Sequence, residues 1–507
     1  MKKTTKIWLF STIALVLVAG ITISAVFINT QRAVYAPISE RYLNRLETKV
    51  ETRREEILNT PNMKIPKGAK VIYLSPNGND DNDGLSPATP FKTLERLSWE
   101  MLDKGTYVCF ERGGTWRGEI WAAPGVTYTA YGEGAKPEIC GSLYDGAVDG
   151  NWEEVAPNIW RYSEKFKDDV GMIVMNHGEE NGIKMLMDYS EEQTKEVVSK
   201  RDWNGYTSLE KNYEFVHDFG DRYIDKTNPK GGYVYLYCDK GNPANVWDSI
   251  EFITLGAIIQ VGTGNAVTID NLCLKYKNYG VTANTCENLR IQNCEIGWIG
   301  GCIWRYSESG VASRCGNGVE IYGGCTNFVC DNNWVYQCYD AGLTQQYSSG
   351  GKDDIIMDGV HYTDNVIEKC VYSIEYFLGA PEEGAAPARY MADFEIKDNY
   401  FLDAGGFGMQ RPDDTTPAHI KGWDHQNTME GEFIIEDNVF MRSERMMIHT
   451  GCDLAEDAPI YRDNVFVQYA DGQWGRHGES PAKLEMYTLK AIDTDVYSQN
   501  DFYVIER

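Results

Sequence analysis

The sequence predicts an all-β solenoid: a single-stranded parallel β-helix with an N-terminal cap and one mixed insertion. Three observations predict it. First, one short phrase recurs from Val267 to Tyr469. Its copies are NLRIQNCEI (288–296), NFVCDNNWV (327–335), GVHYTDNVI (359–367), DFEIKDNYF (393–401), EFIIEDNVF (432–440) and PIYRDNVFV (459–467). Each alternates apolar and polar residues, places an Asn (often Asp-Asn), then adds an apolar pair. Second, the copies return roughly every 20 to 40 residues, the period of stacked repeats. Third, aligning the repeat Asn residues puts Asn271, Asn293, Asn333, Asn365, Asn399, Asn438 and Asn464 in one column. Stacked amides bond along such a ladder, with parallel rungs about 4.8 Å apart.

In chain order, residues 1–30 read as a membrane anchor. Lys2, Lys3 and Lys6 precede an apolar run from Ile7 to Ile28. Such a run is long enough to span a bilayer, and its basic flank keeps the N-terminus in the cytoplasm. The body is then expected outside the cytoplasm. The alternative is a cleaved signal peptide, with Ile23-Ser24-Ala25 as a weak small-residue site. Residues 31–66 read as a charged helical stalk. Leu43, Leu46, Val50 and Ile57 fall at helical spacing within 38–58, a thin stripe that could equally pack on the body.

Residues 67–150 read as the cap and the first rungs. KVIYL is strand-like, a Gly/Asn/Asp turn cluster follows, and a helix starts near Pro90. Asp80, Asp81 and Asp83 lie in that turn. Clustered oxygens beside a glycine suit calcium, but Asx-rich turns form without metal. Residues 151–255 break the repeat and read as an insertion, with a polar helix expected over 187–203. Residues 256–507 form the regular coil.

Composition narrows the function. Net charge is −27 over 507 residues, which argues against a nucleic-acid partner. It also disfavours a strongly anionic glycan unless a cation mediates. The 32 Tyr and 13 Trp suit both edge packing and sugar stacking. The 13 Cys lack zinc-site spacing and read mostly as small buried residues. A capped solenoid is expected to be a monomer, and no cofactor other than calcium is suggested.

The opening segment 69–97 resembles that of right-handed parallel β-helix proteins, the pectin-lyase-like superfamily. NGVEIYGG, YDAGLTQQ and SIEYFLG (all within 317–379) resemble segments of β-helix glycoside hydrolases. The resemblance implies a right-handed coil and sugar-directed chemistry. It fixes no substrate.

A coil has no internal pocket, so chemistry must sit on an outer face. Aligning GVTAN, GVEIY, GLTQQ, SIEYF, FGMQR and MIHT places Thr282, Glu320, Thr344, Glu375, Met409 and His449 in one outward column. Gln345, Gln346, Gln410 and Arg411 lie beside it, Asp340 and Asp403 at the preceding corner, and Trp298 and Trp304 near one end. Glycoside hydrolysis needs two carboxyl groups, and Glu320, Asp340 and Glu375 are the catalytic candidates. Trp298, Trp304, Gln345, Gln346, Gln410, Arg411 and His449 are the sugar-binding candidates. A polysaccharide lyase is the second reading; it needs a basic residue, and this column holds no Lys, with Arg411 the only basic side chain nearby. A non-catalytic glycan-binding protein is the third.

Overall fold

The computed structural model describes residues 36–185, 205–218, 231–262, 264–306, 312–406, 417–423, 429–450, 459–477 and 499–507. The apolar run 7–28, the helix expected over 187–203, and Met409, Gln410 and Arg411 lie outside the described residues. Among those described, no helix is long and apolar enough to cross a membrane.

The repeats wind through three parallel sheets. One turn shows the course. Cys325–Asp331 lies in the first sheet, Trp334–Cys338 in the second and Ala341–Tyr347 in the third. Ile355–Thr363 then returns to the first sheet and pairs in parallel with Cys325–Asp331. Inward side chains stack from rung to rung. Ile291, Cys330, Tyr362, Ile396 and Ile435 form one such file. Phe401, Phe440, Phe466 and Phe502 form another, with ring centroids 4.7, 4.7 and 4.9 Å apart. This burial of large apolar side chains in register is the main stabilising term.

The corner between the first and second sheets explains the Asp-Asn phrase. The first residue of the pair turns the chain through the left-handed region, which Asn and Asp tolerate best. Asn332, Asp364, Asp398, Asp437 and Asp463 all have φ between 53° and 57°. The second residue points inward as the ladder. Asn333 donates through its backbone N–H to Asn365 Oδ1 at 2.9 Å, and Asn365, Asn399 and Asn438 repeat the contact at 2.9–3.0 Å. Asn464 passes it on to Asn500, which extends the ladder by a rung. Asn271 and Asn293 do not belong to this column. Their φ values of 58° and 56° place them in the turning position beside Asn332, and Cys294 stands where the ladder amide would be. The alignment expected from sequence was one residue out there, because a lone Asn fits either position.

The cap strand Val71–Leu74 pairs with Tyr107–Glu111, and the short helix Leu94–Ser98 lies beside it. The acidic turn serves this cap. Asp80 accepts from the backbone N–H groups of Lys92 and Thr93 at 2.8 and 3.0 Å, and Asp83 from Leu85 N–H and Thr89 Oγ1. Asp81 donates its N–H to Asn79 Oδ1. These bonds account for the turn, and no group of three or more His, Cys, Asp or Glu gathers to hold a metal among the described residues.

The helix Glu40–Leu58 is not a free stalk. Leu46, Val50 and Ile57 are buried against Val366, Leu402, Met441 and Val467 on the second sheet. Arg53 pairs with Asp364 at 2.7 Å, and Arg442 with Glu47 at 3.0 Å. The thin stripe suffices because it meets an apolar sheet face. The coil leaves off after Cys140 and resumes at Ala257; the chain between forms a mostly antiparallel five-stranded sheet and a three-stranded one.

Candidate active site

The third sheet carries the outward column. Its register runs Trp121, Gln260, Thr282, Glu320, Thr344, Glu375, Lys421, His449. Glu320 and Glu375 therefore share a column two rungs apart, about 9.6 Å along the axis. Lys421 occupies the place expected for Met409. The strand Ala418–Gly422 enters the sheet there, with Ile420 inward between Ile374 and Ile448. The expectation of a column without lysine is corrected accordingly. The signal was present in the sequence: an apolar residue followed by a polar one, as in Val-Glu, Leu-Thr, Ile-Glu and Ile-His, recurs as Ile-Lys in AHIKG.

Glu320 is half-buried at the head of the cluster. Asn317 Nδ2 and Gln346 Nε2 both donate to its Oε2, at 2.6 and 2.8 Å. Asn317 also accepts the Ala341 N–H, which ties this carboxylate to the next turn. Burial, reinforced by the negative charge of Asp340, pushes the Glu320 carboxyl up to about 7 against the lowering effect of those two amides. Asp340 sits at the corner just before the strand Ala341–Tyr347. Asp403, expected at an equivalent corner, instead pairs with Arg442 at 2.7 Å.

Glu375 is almost fully buried. Its Oε2 accepts from Thr344 Oγ1 at 3.5 Å, and its Oε1 accepts from the Trp423 indole N–H. Lys421, the next residue in the column, is 2 % exposed. Its Nζ lies 4.0 Å from the Trp423 ring centroid and within hydrogen-bond distance, 2.8 Å, of His449 Nδ1. Thus one carboxyl is poised near neutrality, and a second is surrounded by donors beside a buried amine.

Four sugar-binding candidates fare differently. Gln346 does reach the cluster. Gln345 does not: it lies in the inward file between Ile321 and Tyr376, is 1 % exposed, and its Oε1 meets Cys325 Sγ at 3.5 Å. Strand alternation puts neighbours on opposite faces, so Gln345 and Gln346 could not both face outward. Trp298 is buried among Met172, Val174, Tyr276 and Tyr339, where the insertion packs on the second sheet. Trp304 is exposed on a hairpin, Cys302–Tyr306 with Ala312–Cys315, that precedes the Glu320 strand. Sequence reasoning missed Lys421 and Trp423.

No family model and no curated protein matches the chain. Solved structures similar to it include XylC in complex with xylose, at 10% identity and a TM-score of 0.39, covering 86% of this chain and 82% of that one. A GH136 lacto-N-biosidase from Eubacterium ramulus has 13% identity and a TM-score of 0.34, covering 86% and 68%. The pectate lyase Pel9A has 10% identity and a TM-score of 0.29, covering 82% and 78%. The chain is a parallel β-helix, and its structural neighbours include glycoside hydrolases and a pectate lyase.

Proposed function

We propose that the chain is a glycoside hydrolase that inverts configuration at the cleaved bond. The observation that carries this is the pair Glu320 and Glu375 on one outward column, two rungs apart and in contrasting surroundings. The rung separation of about 9.6 Å along the axis is close to the roughly 6.5–9.5 Å between the carboxyl groups of inverting enzymes, a gap that leaves room for a water. Glu320, protonated near neutral pH, donates its proton to the departing glycosidic oxygen. Glu375 takes a proton from water, which attacks the anomeric carbon from the opposite side. Burial, with help from the charge of Asp340, favours the protonated form of Glu320. The N-terminal apolar run supports placing the body outside the cytoplasm, tethered to a membrane.

The test is product analysis. Proton NMR of the first products from neutral oligosaccharides is expected to show inverted anomers, and Glu375→Gln to lose about 10²–10⁴-fold in kcat. Retained configuration, or full activity in Glu375→Gln, sinks the mechanism. Lys421 favours one second reading, a polysaccharide lyase in which this buried amine abstracts a proton α to a uronate carboxyl. Unsaturated, ultraviolet-absorbing products, abolished in Lys421→Met, would establish it instead.

A further inference from the structure

The same column continues toward the cap, and nothing in the proposed chemistry uses that end. Trp121 is 75% exposed, on the first rung of the third sheet. Single exposed tryptophans are common, but this one is in register with the carboxylates. Gln260 follows it in the ladder, and its side chain makes no hydrogen bond among the described residues. Thr282 comes next, 8% exposed, with its hydroxyl unpartnered there. Glu320 is the following residue. A buried hydroxyl left without a partner is costly unless something else satisfies it. Beside Trp121 a cavity of about 140 Å³ opens between the cap helix and the strand Ile120–Ala122, with Ser98, Glu100 and Glu119 on its lining. Glu119 is held by Lys277 at 2.8 Å and Glu100 by Arg96 at 2.6 Å.

We propose that Trp121, Gln260 and Thr282 form a distal strip that binds the units of an extended neutral glycan on the cap side of the cleaved bond. The proposal rests on reading the column as a glycan trough, and it assigns the length and charge of the substrate. The indole face stacks on the apolar face of a sugar ring; the amide and the hydroxyl meet ring hydroxyls. The scissile bond lies near the Thr344 rung, four rungs or about 19 Å from Trp121. A pyranose unit and a rung are similar in length, so Trp121 meets a unit about four positions away. Glu100 and Glu119 beside Trp121 already occupy Arg96 and Lys277, so an uncharged ring suits Trp121 better than an anionic one.

The experiment uses the full chain carrying Glu375→Gln, so that ligands survive. Calorimetry measures Kd for xylo-, manno- and cello-oligosaccharides of increasing length, with and without Trp121→Ala. In at least one series, affinity is expected to rise until the chain spans the strip. Trp121→Ala should then weaken the longest chain about tenfold, as truncating an aromatic anchor does, and short chains far less. Thr282→Val should weaken chains of intermediate length as well. Equal losses at every length overturn the proposal, as does no loss at all or no binding by any series. Hydrolysis by the unmodified chain, abolished in Glu375→Gln, is scored separately. It can stand while the strip fails, so the two readings fall independently.

Discussion

Replacing Glu320 by Gln should make the protein more stable and less active at once. Gln keeps the shape and still offers an oxygen to Asn317 and Gln346. What it removes is the cost of a charge in this position. The folded carboxyl titrates at about 7 against an ordinary 4.5. Below pH 4.5 both the folded and unfolded forms carry the proton, so it adds no pH dependence. Between 4.5 and 7 the unfolded chain releases its proton while the fold retains it, so stability falls as pH rises. Above 7 the difference is constant. At 1.36 kcal/mol per pH unit the full difference is about 3 kcal/mol, and less to the extent that solvent reaches the half-buried carboxyl. Urea denaturation followed by circular dichroism should give equal midpoints for the two proteins near pH 4. Glu320→Gln should be the more stable of the two at pH 8. The same displacement matters for catalysis: at pH 7 about half of the folded molecules carry the acid proton, against about 0.3% for an ordinary glutamate. A midpoint at pH 8 equal to or below that of the unmodified protein, or an offset independent of pH, would refute the reasoning.

Asp340→Asn removes the negative charge that raises Glu320. The alkaline limb of the kcat/KM profile should move to lower pH, and an unmoved limb would dissociate the two residues. Asn365→Ala deletes an amide that accepts from Asn333 N–H and Nδ2 and donates to Cys330 O and Asn399 Oδ1. A loss of about 3–5 kcal/mol is expected from the orphaned buried groups; less than about 1 kcal/mol in a urea titration would count against a structural ladder. Leu46→Ala opens a cavity between the first helix and the second sheet, at a cost of about 2–3 kcal/mol. Limited proteolysis should then cut within 40–58 sooner than in the unmodified protein, and an unchanged cleavage pattern would mean that the helix is held by something other than this stripe.

The sequence by itself determined the architecture, because the evidence for it is local and repeated. An αL corner demands Asn or Asp, a ladder demands amides, and an inward file demands alternating apolar residues. Every rung restates these demands, so the Asp-Asn phrase of residues 363–464 could be aligned without a structure. Single rungs were harder. Asn271 and Asn293 lack the second Asn that would have fixed their place. Gln345 and Gln346 sit side by side, and only the parity of the strand separates the core residue from the one beside Glu320.

What the tertiary structure decided was which residues meet. Glu320 and Glu375 were legible because short corners connect their rungs to the repeat. The next rung was not. A long stretch separates Asp403 from Ala418, and the sequence alone does not fix which of its segments re-enters the sheet. Lys421 and Trp423 therefore came into the cluster only when the register did. The state of Glu320 was equally invisible, since it depends on burial and on Asp340 from the following turn. A repeat sets the spacing of rungs in the chain itself; charge, burial and contact depend on packing between turns that sequence order leaves apart.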